Sequence, residues 1–172
     1  MPEKFLIRLL DYDDCEIISQ AFTLQNWSKP KEQYVEYLRE QKAGKRTVLV
    51  AEKNGEFAGY LTIVWQSDFP QFFENNIPEI VDFNVLIKFR NQGIGNLLMN
   101  EAENLAAEGY ETVGIRVGLT GDYGAAQRMY AKRGYIPDGL GISQNGKPLF
   151  YGDQITIDDE LVLSFTKRVE LT

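Results

Sequence analysis

The sequence predicts an α/β fold, and three observations carry that expectation. An apolar, β-branched run (Val81, Phe83, Val85, Leu86, Ile87) empties through a basic turn, Arg90-Asn91-Gln92-Gly93-Ile94-Gly95, straight into a helical pattern. In that pattern Gly95, Leu98, Met99, Ala102, Leu105 and Ala106 recur at three- and four-residue steps, with Asn96, Asn100, Glu101, Glu103 and Asn104 on the other face. Strand-like segments lie on both sides of this unit, and one pair is joined by Asn54-Gly55, the strongest short hairpin signal.

The elements follow in order. Phe5–Leu10 alternates as a first strand, with Phe5, Ile7 and Leu9 on one face. Asp13 and Glu16 have capping-box spacing and open a helix carrying Ile17, Ile18, Ala21 and Phe22. Ser28-Lys29-Pro30 breaks the pattern, and a second helix is expected from Lys31 to Ala43. Thr47–Glu52 and Glu56–Trp65 form the hairpin, where Gly59 marks a bulge or a close backbone approach. Residues 66–78 are a polar, proline-containing stretch with Phe69, Phe72 and Phe73. It reads as a lid, as a contact with another subunit, or as a segment folded back onto the core.

Beyond the central strand and helix, Gly109 stands where a positive-φ stop is expected, and Thr112–Leu119 alternates as a strand. Asp122 is a candidate N-cap for a helix with Ala125, Ala126, Met129 and Tyr130, ended by Gly134. Tyr135-Ile136 starts a short strand stopped by Pro137-Asp138-Gly139, and Glu160–Thr166 is the last strand. With no repeat, linker or low-complexity tract, residues 1–172 read as one domain.

Composition removes several kinds of chemistry. The chain has 44% hydrophobic and 25% charged residues, as a soluble globular protein does. No apolar run reaches the ~18 residues that would cross a bilayer, and Arg8 and Asp11 interrupt what would be an export signal after Met1-Pro2, so the expected location is the cytoplasm. A net charge of −7 argues against nucleic acid and suits a cationic acceptor. Histidine is absent, which excludes Ser-His-Asp triads, Cys-His dyads and ordinary His zinc sites. A lone cysteine, Cys15, permits no internal disulfide or cysteine metal cluster, so no metal is expected. Any general base must be a carboxylate, a tyrosine, an amine or a water.

The central turn is suited to a pyrophosphate. Helix-start N–H groups lack intrahelical partners and point outward with the positive end of the dipole, and Gly93 and Gly95 let a bulky anion approach the backbone. Lys88 and Arg90 add charge. A Walker pattern is excluded because no Gly-Lys-Ser/Thr follows, and the dinucleotide fingerprint fails at its third position, which is Leu98.

Arg90-x-x-Gly93-x-Gly95, followed by Asn96-Leu97-Leu98-Met99, resembles the acetyl-CoA signature of the GCN5-related N-acetyltransferases (GNAT). Tyr123-Gly-Ala-Ala-Gln-Arg-Met-Tyr130-Ala-Lys-Arg-Gly134-Tyr135 is similar to that family's later motif. The resemblance implies a central mixed twisted sheet of about six or seven strands with about four flanking helices. It implies acetyl-CoA as co-substrate, with Arg90, Asn91, Gln92, Gly93, Ile94, Gly95 and Asn96 around the pyrophosphate, and the main chain of Val85, Leu86 and Ile87 pairing with the pantetheine arm. Tyr123 and Ala126 take cofactor positions of the second motif, although the family commonly has asparagine where Tyr123 stands. The segment holding Gln25, Asn26 and Trp27 would border the acceptor, unless Trp27 is a core anchor.

Tyr130 occupies the position of the family's general acid, which protonates the departing thiolate. A phenol is neutral at pH 7 and has a proton to give, although the same residue also suits a buried helix stripe. Glu79, eleven residues before Arg90, and Asp82 are the candidate bases, with a water as the third option. The expected function is acetyl transfer from acetyl-CoA to a primary amine, of a small molecule above all, by direct attack in a ternary complex. A protein acetyltransferase acting on lysine or an N-terminus and a non-catalytic acyl-CoA sensor are the alternatives. The resemblance also allows a homodimer, and no membrane partner is expected.

Overall fold

A computed structural model describes residues 3–171; Met1, Pro2 and Thr172 lie outside the described residues. The described residues form eight strands, one of only two residues, and five α-helices. The expected α/β class holds, and the counts exceed expectation because two short elements, Pro70–Glu74 and Lys147–Pro148, carry no sequence period. The chain divides into two compact units. The first holds the chain up to Trp65 with Ile80–Leu105, and the second Gln66–Glu79 with the chain from Ala106 onward.

In the first unit β1 (Phe5–Leu9), β2 (Arg46–Lys53), β3 (Glu56–Val64) and β4 (Glu79–Val85) neighbour one another in that order. The β1/β2 and β2/β3 pairs are antiparallel. Val48–Ala51 of β2 and Phe57–Ile63 of β3 are buried without alternation, as strands covered on both faces are. Asn54 and Gly55, both at positive φ, make the expected tight hairpin turn. Gly59 answers to a close approach: a Cβ there would lie 2.6 Å from the Asn84 carbonyl oxygen of β4. Helix α1 (Asp14–Leu24) buries Cys15, Ile18 and Phe22, and α2 (Lys31–Lys42) buries Tyr34 and Leu38. These side chains pack with Val48, Val50 and Tyr60 into one core. Helix α4 (Ile94–Ala107) begins one residue before the predicted glycine and buries Ile94, Leu98, Met99 and Ala102.

Two expected helix signals are corrected. Asp13 does stand at the N-cap of α1, but its side chain caps nothing. Asp14, the first residue of the helix, instead ties down the preceding turn, accepting from the Asp11 N–H at 2.8 Å and from both Arg8 Nη atoms, while Glu16 turns to Gln20 and Lys31. Gly109 does not enter the positive-φ region, because its N–H closes a turn on the Ala106 carbonyl.

In the second unit β5 (Thr112–Gly118), β8 (Leu161–Arg168), β6 (Ile136–Gln144) and β7 (Lys147–Pro148) follow in that order, each pair antiparallel. The predicted stop at Pro137-Asp138-Gly139 is only an irregularity. Gly139 and Gly141 take φ values of 84° and 83°, and the strand resumes pairing at Ile142. Helix α3 (Pro70–Glu74) lies inside the phenylalanine stretch. Phe69 and Phe72 are buried, and only Phe73 is exposed, so the lid and subunit-contact readings give way to packing for two of the three rings. The Phe72 ring fills the space that a side chain on Gly114 would need, with Cζ 2.5 Å from the ideal Cβ. Gly114→Ala is therefore expected to destabilise the protein by about 1–3 kcal/mol through overpacking, read as a lower urea midpoint at unchanged slope. Helix α5 (Gly124–Lys132) starts two residues after Asp122, which lies in a 3-10 turn with its carboxylate on the Thr120 hydroxyl. Tyr123 holds the N-cap position instead.

Candidate active site

In the first unit the central turn has the geometry an anion requires. Asn91 and Gly93 take φ values of 60° and 84°, which turns the chain so that α4 starts at Ile94. The helical ladder closes first from the Leu97 N–H to the Gly93 carbonyl. Asn91, Gln92, Gly93 and Asn96 are exposed, Gly95 is half-buried, and Ile94 anchors the turn in the core. A side chain on Gly93 would meet no heavy atom within 4 Å, so the space beside the backbone is open. Arg90 Nε donates to the Val85 carbonyl at 3.2 Å, and its guanidinium lies over the Trp27 ring. These residues suit the diphosphate of a coenzyme.

The strand before the turn ends two residues earlier than the apolar run over 81–87 suggests. β4 ends at Val85, Leu86 precedes a 3-10 turn at Ile87–Phe89, and both following N–H groups are engaged. Leu86 donates to the Ala58 carbonyl at 2.9 Å and Ile87 to Gln25 Oε1 at 3.0 Å. Both N–H groups are thus paired within the chain, so a pantetheine arm pairing at Leu86 or Ile87 would have to take the place of these bonds. Trp27 stacks on Phe22 at 5.8 Å, which favours the core-anchor reading of that residue.

Asp82 is the focus of a network that sequence reading missed. It sits inside β4 at φ 52°, a left-handed conformation that aspartate tolerates better than most residues. Oδ1 accepts from Lys29 Nζ at 3.0 Å and Asn84 Nδ2 at 2.8 Å. Oδ2 accepts from the Tyr60 hydroxyl at 2.6 Å, Gln33 Nε2 at 2.9 Å and the Tyr37 hydroxyl at 3.0 Å. Burial, reinforced by the Asp82 charge, raises the phenols of Tyr60 and Tyr34 well above the ordinary range and pushes Tyr37 up to about 12.

In the second unit Glu79 is 3% exposed, and Arg116 and Ser67 occupy both its oxygens. Arg116 Nε lies 2.6 Å from Oε1 and Nη2 3.2 Å from Oε2, while the Ser67 hydroxyl is 2.5 Å from Oε2. Burial alone would lower the Arg116 guanidinium, but Glu79 outweighs it and holds the group above its usual value. Tyr130 is 5% exposed, and its hydroxyl has no hydrogen-bond partner among the described residues. Burial raises its phenol, with a smaller contribution from Tyr123, so the proton stays in place across the physiological range. The Tyr123 ring lies over Gly118, and its phenol is raised by burial and by Asp159, to which it is hydrogen-bonded. Ala126 is half-buried in the first turn of α5.

These tyrosines give a pH dependence of defined sign. A phenol raised in the folded state holds its proton more tightly there than in the unfolded chain. The stability it contributes is intact below pH ~10 and is lost as pH rises toward the folded value. Stability to urea is expected to be flat up to that point and then to fall by about 1.4 kcal/mol per pH unit for each of Tyr60 and Tyr130. Denaturation midpoints measured between pH 8 and 12 check this, and Tyr60→Phe should flatten the fall.

The sequence model of the acetyltransferase (GNAT) family matches residues 13–135. The chain belongs to the GNAT acetyltransferase family. Solved structures agree at the level of fold. An N-acetyltransferase from Staphylococcus aureus Mu50 superposes with a TM-score of 0.70 at 16% identity, over 96% of this chain and 98% of that one. YncA of Salmonella typhimurium, a putative acetyltransferase solved with its cofactor acetyl-CoA, gives 0.68 at 18% identity over 96% and 94%. The ribosomal-protein-S18-alanine N-acetyltransferase of Escherichia coli gives 0.70 at 13% identity over 98% and 96%. No curated protein matches the sequence. Among the described residues of this GNAT acetyltransferase, no helix is long and apolar enough to cross a membrane.

Proposed function

We propose that this GNAT protein transfers the acetyl group of acetyl-CoA to a primary amine of a small molecule, by direct attack in a ternary complex, with both units in one acetyltransferase domain. The observation that carries the reading is the Arg90–Gly95 turn, with Asn91 and Gly93 in left-handed conformations at the start of α4. Its backbone N–H groups, the α4 dipole and Arg90 would hold the coenzyme diphosphate. Acetyl-CoA supplies the acetyl group already activated as a thioester. YncA, solved with that cofactor, supports the choice of co-substrate.

Tyr130 is the proposed proton donor to the leaving sulfur, since burial keeps its proton and no other group claims it. Asp82 is assigned to attracting the acceptor's ammonium. Glu79 is assigned to holding Arg116, because Arg116 and Ser67 occupy both of its oxygens. A water then carries away the proton of the attacking amine. Attack by the amine is taken as direct because Cys15, the one thiol, is fully buried in the α1 core.

A free-thiol release assay with acetyl-CoA and a panel of small amines, lysine peptides and peptide N-termini tests the proposal. Release with small primary amines is expected, and release with peptides alone would replace the acceptor class. Binding of acetyl-CoA without release across the panel would make the chain a sensor.

A further inference from the structure

We propose that Asp82, Tyr60 and Phe22 form a binding site for a primary alkylammonium, that the chain's own Lys29 fills it as a built-in occupant, and that the acceptor amine takes the place of Lys29. Identifying the incoming amine with the acceptor rests on the acetyl-transfer reading above; the site itself does not.

The surroundings of Lys29 exceed what a tether between a loop and a strand requires. Its Nζ donates to Asp82 Oδ1 at 3.0 Å and to the Tyr60 hydroxyl at 3.1 Å. It also lies over the Phe22 ring, 5.5 Å from its centre, whereas it meets Tyr60 at the hydroxyl edge of the ring. A carboxylate, a phenol oxygen and one aromatic face around one nitrogen are the composition of a cation-recognition site. The site is preorganised without its lysine. Neutral donors Tyr60, Tyr37 and Gln33 hold Asp82 Oδ2, and Asn84 shares Oδ1, so the carboxylate keeps its direction when the ammonium leaves. The left-handed φ of Asp82 belongs to the same arrangement, an uncommon backbone state kept within a strand.

Access and charge favour exchange. The Lys29 and Asp82 side chains are 18% and 17% exposed, so both reach solvent. Lys29 stands in the segment between α1 and α2, just before Pro30. The net charge of −7 draws cations toward the protein. Asp82 is three residues from Val85 on β4, roughly 10 Å at ~3.3 Å per residue, so the site and the end of the strand that leads to the coenzyme turn share one element. Two hydrogen-bond acceptors around the nitrogen select a group with at least two N–H bonds, which excludes quaternary ammonium. The path of the lysine stem selects an unbranched alkyl chain.

Lys29→Ala removes the equivalent of n-propylammonium, which makes that cation the natural probe. Calorimetry on folded Lys29→Ala protein is expected to show saturable one-to-one binding of n-propylammonium, about tenfold or more tighter than to wild type. Lys29→Met, which refills the space without charge, is expected not to bind it. The Michaelis constant for unbranched primary alkylamines should fall by a similar factor in Lys29→Ala while the Kd for acetyl-CoA is unchanged. Absence of the gain in Lys29→Ala overturns the site, and so does equal binding by Lys29→Met. Thiol release with amines but no propylammonium gain would leave the transferase reading standing and remove this inference. The propylammonium gain without thiol release from any amine would leave the ammonium site standing and remove the transferase reading.

Discussion

Tyr130→Phe is expected to lower kcat by about 10²- to 10⁴-fold, the usual contribution of a positioned general acid, and to leave the Kd for acetyl-CoA unchanged. The structure makes this substitution unusually clean. The phenol is almost fully buried, and its hydroxyl has no partner among the described residues, so deleting one oxygen breaks no hydrogen bond. Removing a hydroxyl that makes no hydrogen bond within the protein is neutral or stabilising, so the variant should fold as well as wild type. The ring and its tilted contact with Tyr135, at 5.9 Å between centres, are retained. A merely structural tyrosine predicts unchanged turnover. Equal kcat for the two proteins would remove Tyr130 from the chemistry and leave the leaving sulfur to be protonated by water.

Arg116→Ala is expected to cost about 3–5 kcal/mol, because it strands a buried carboxylate. Glu79 is 4% exposed in its side chain, and without Arg116 it keeps only the Ser67 hydroxyl. Arg116 also carries Asp68 at 3.3 Å and lies over the Phe69 ring, so its loss loosens the start of the segment that contains α3. Replacing both partners, as Arg116→Met with Glu79→Leu, should recover most of the loss, because no charge is then left buried unpaired. Urea titrations of the single and double variants measure the effect. A loss below about 1 kcal/mol for Arg116→Ala would mean that the pair behaves like a solvent-screened surface bridge.

How much of this was legible in the sequence depends on the separation of the partners. The Arg90–Gly95 turn could be read locally, because its glycines, its charge and the helix it opens are consecutive. The same holds for the Asn54-Gly55 hairpin and for the helix stripe that carries Tyr130. The Asp82 network could not be read this way. Its donors come from positions 29, 33, 37, 60 and 84, and Tyr37 and Tyr60 look like ordinary members of a helix stripe and a buried strand. Arg116, in an alternating strand, reads as a solvent-facing charge until Glu79, 37 residues away, is seen beside it. Pro137-Asp138-Gly139 reads as a strand stop, yet Gly139 and Gly141 at positive φ lie within an irregularity that β6 passes before pairing again at Ile142. Helix α3 is too short to show a period. The one local signal at Lys29 is its place in an otherwise polar break between two helices, which carries no information about a partner on β4.

The central claim is that the Arg90–Gly95 turn holds acetyl-CoA, and calorimetric titration of the wild-type protein with acetyl-CoA tests it most directly. Saturable one-to-one binding is predicted, weakened about tenfold or more in Gly93→Val, where a β-branched residue must take a left-handed φ at a cost of about 1–2 kcal/mol. A flat titration of folded wild-type protein would contradict the account.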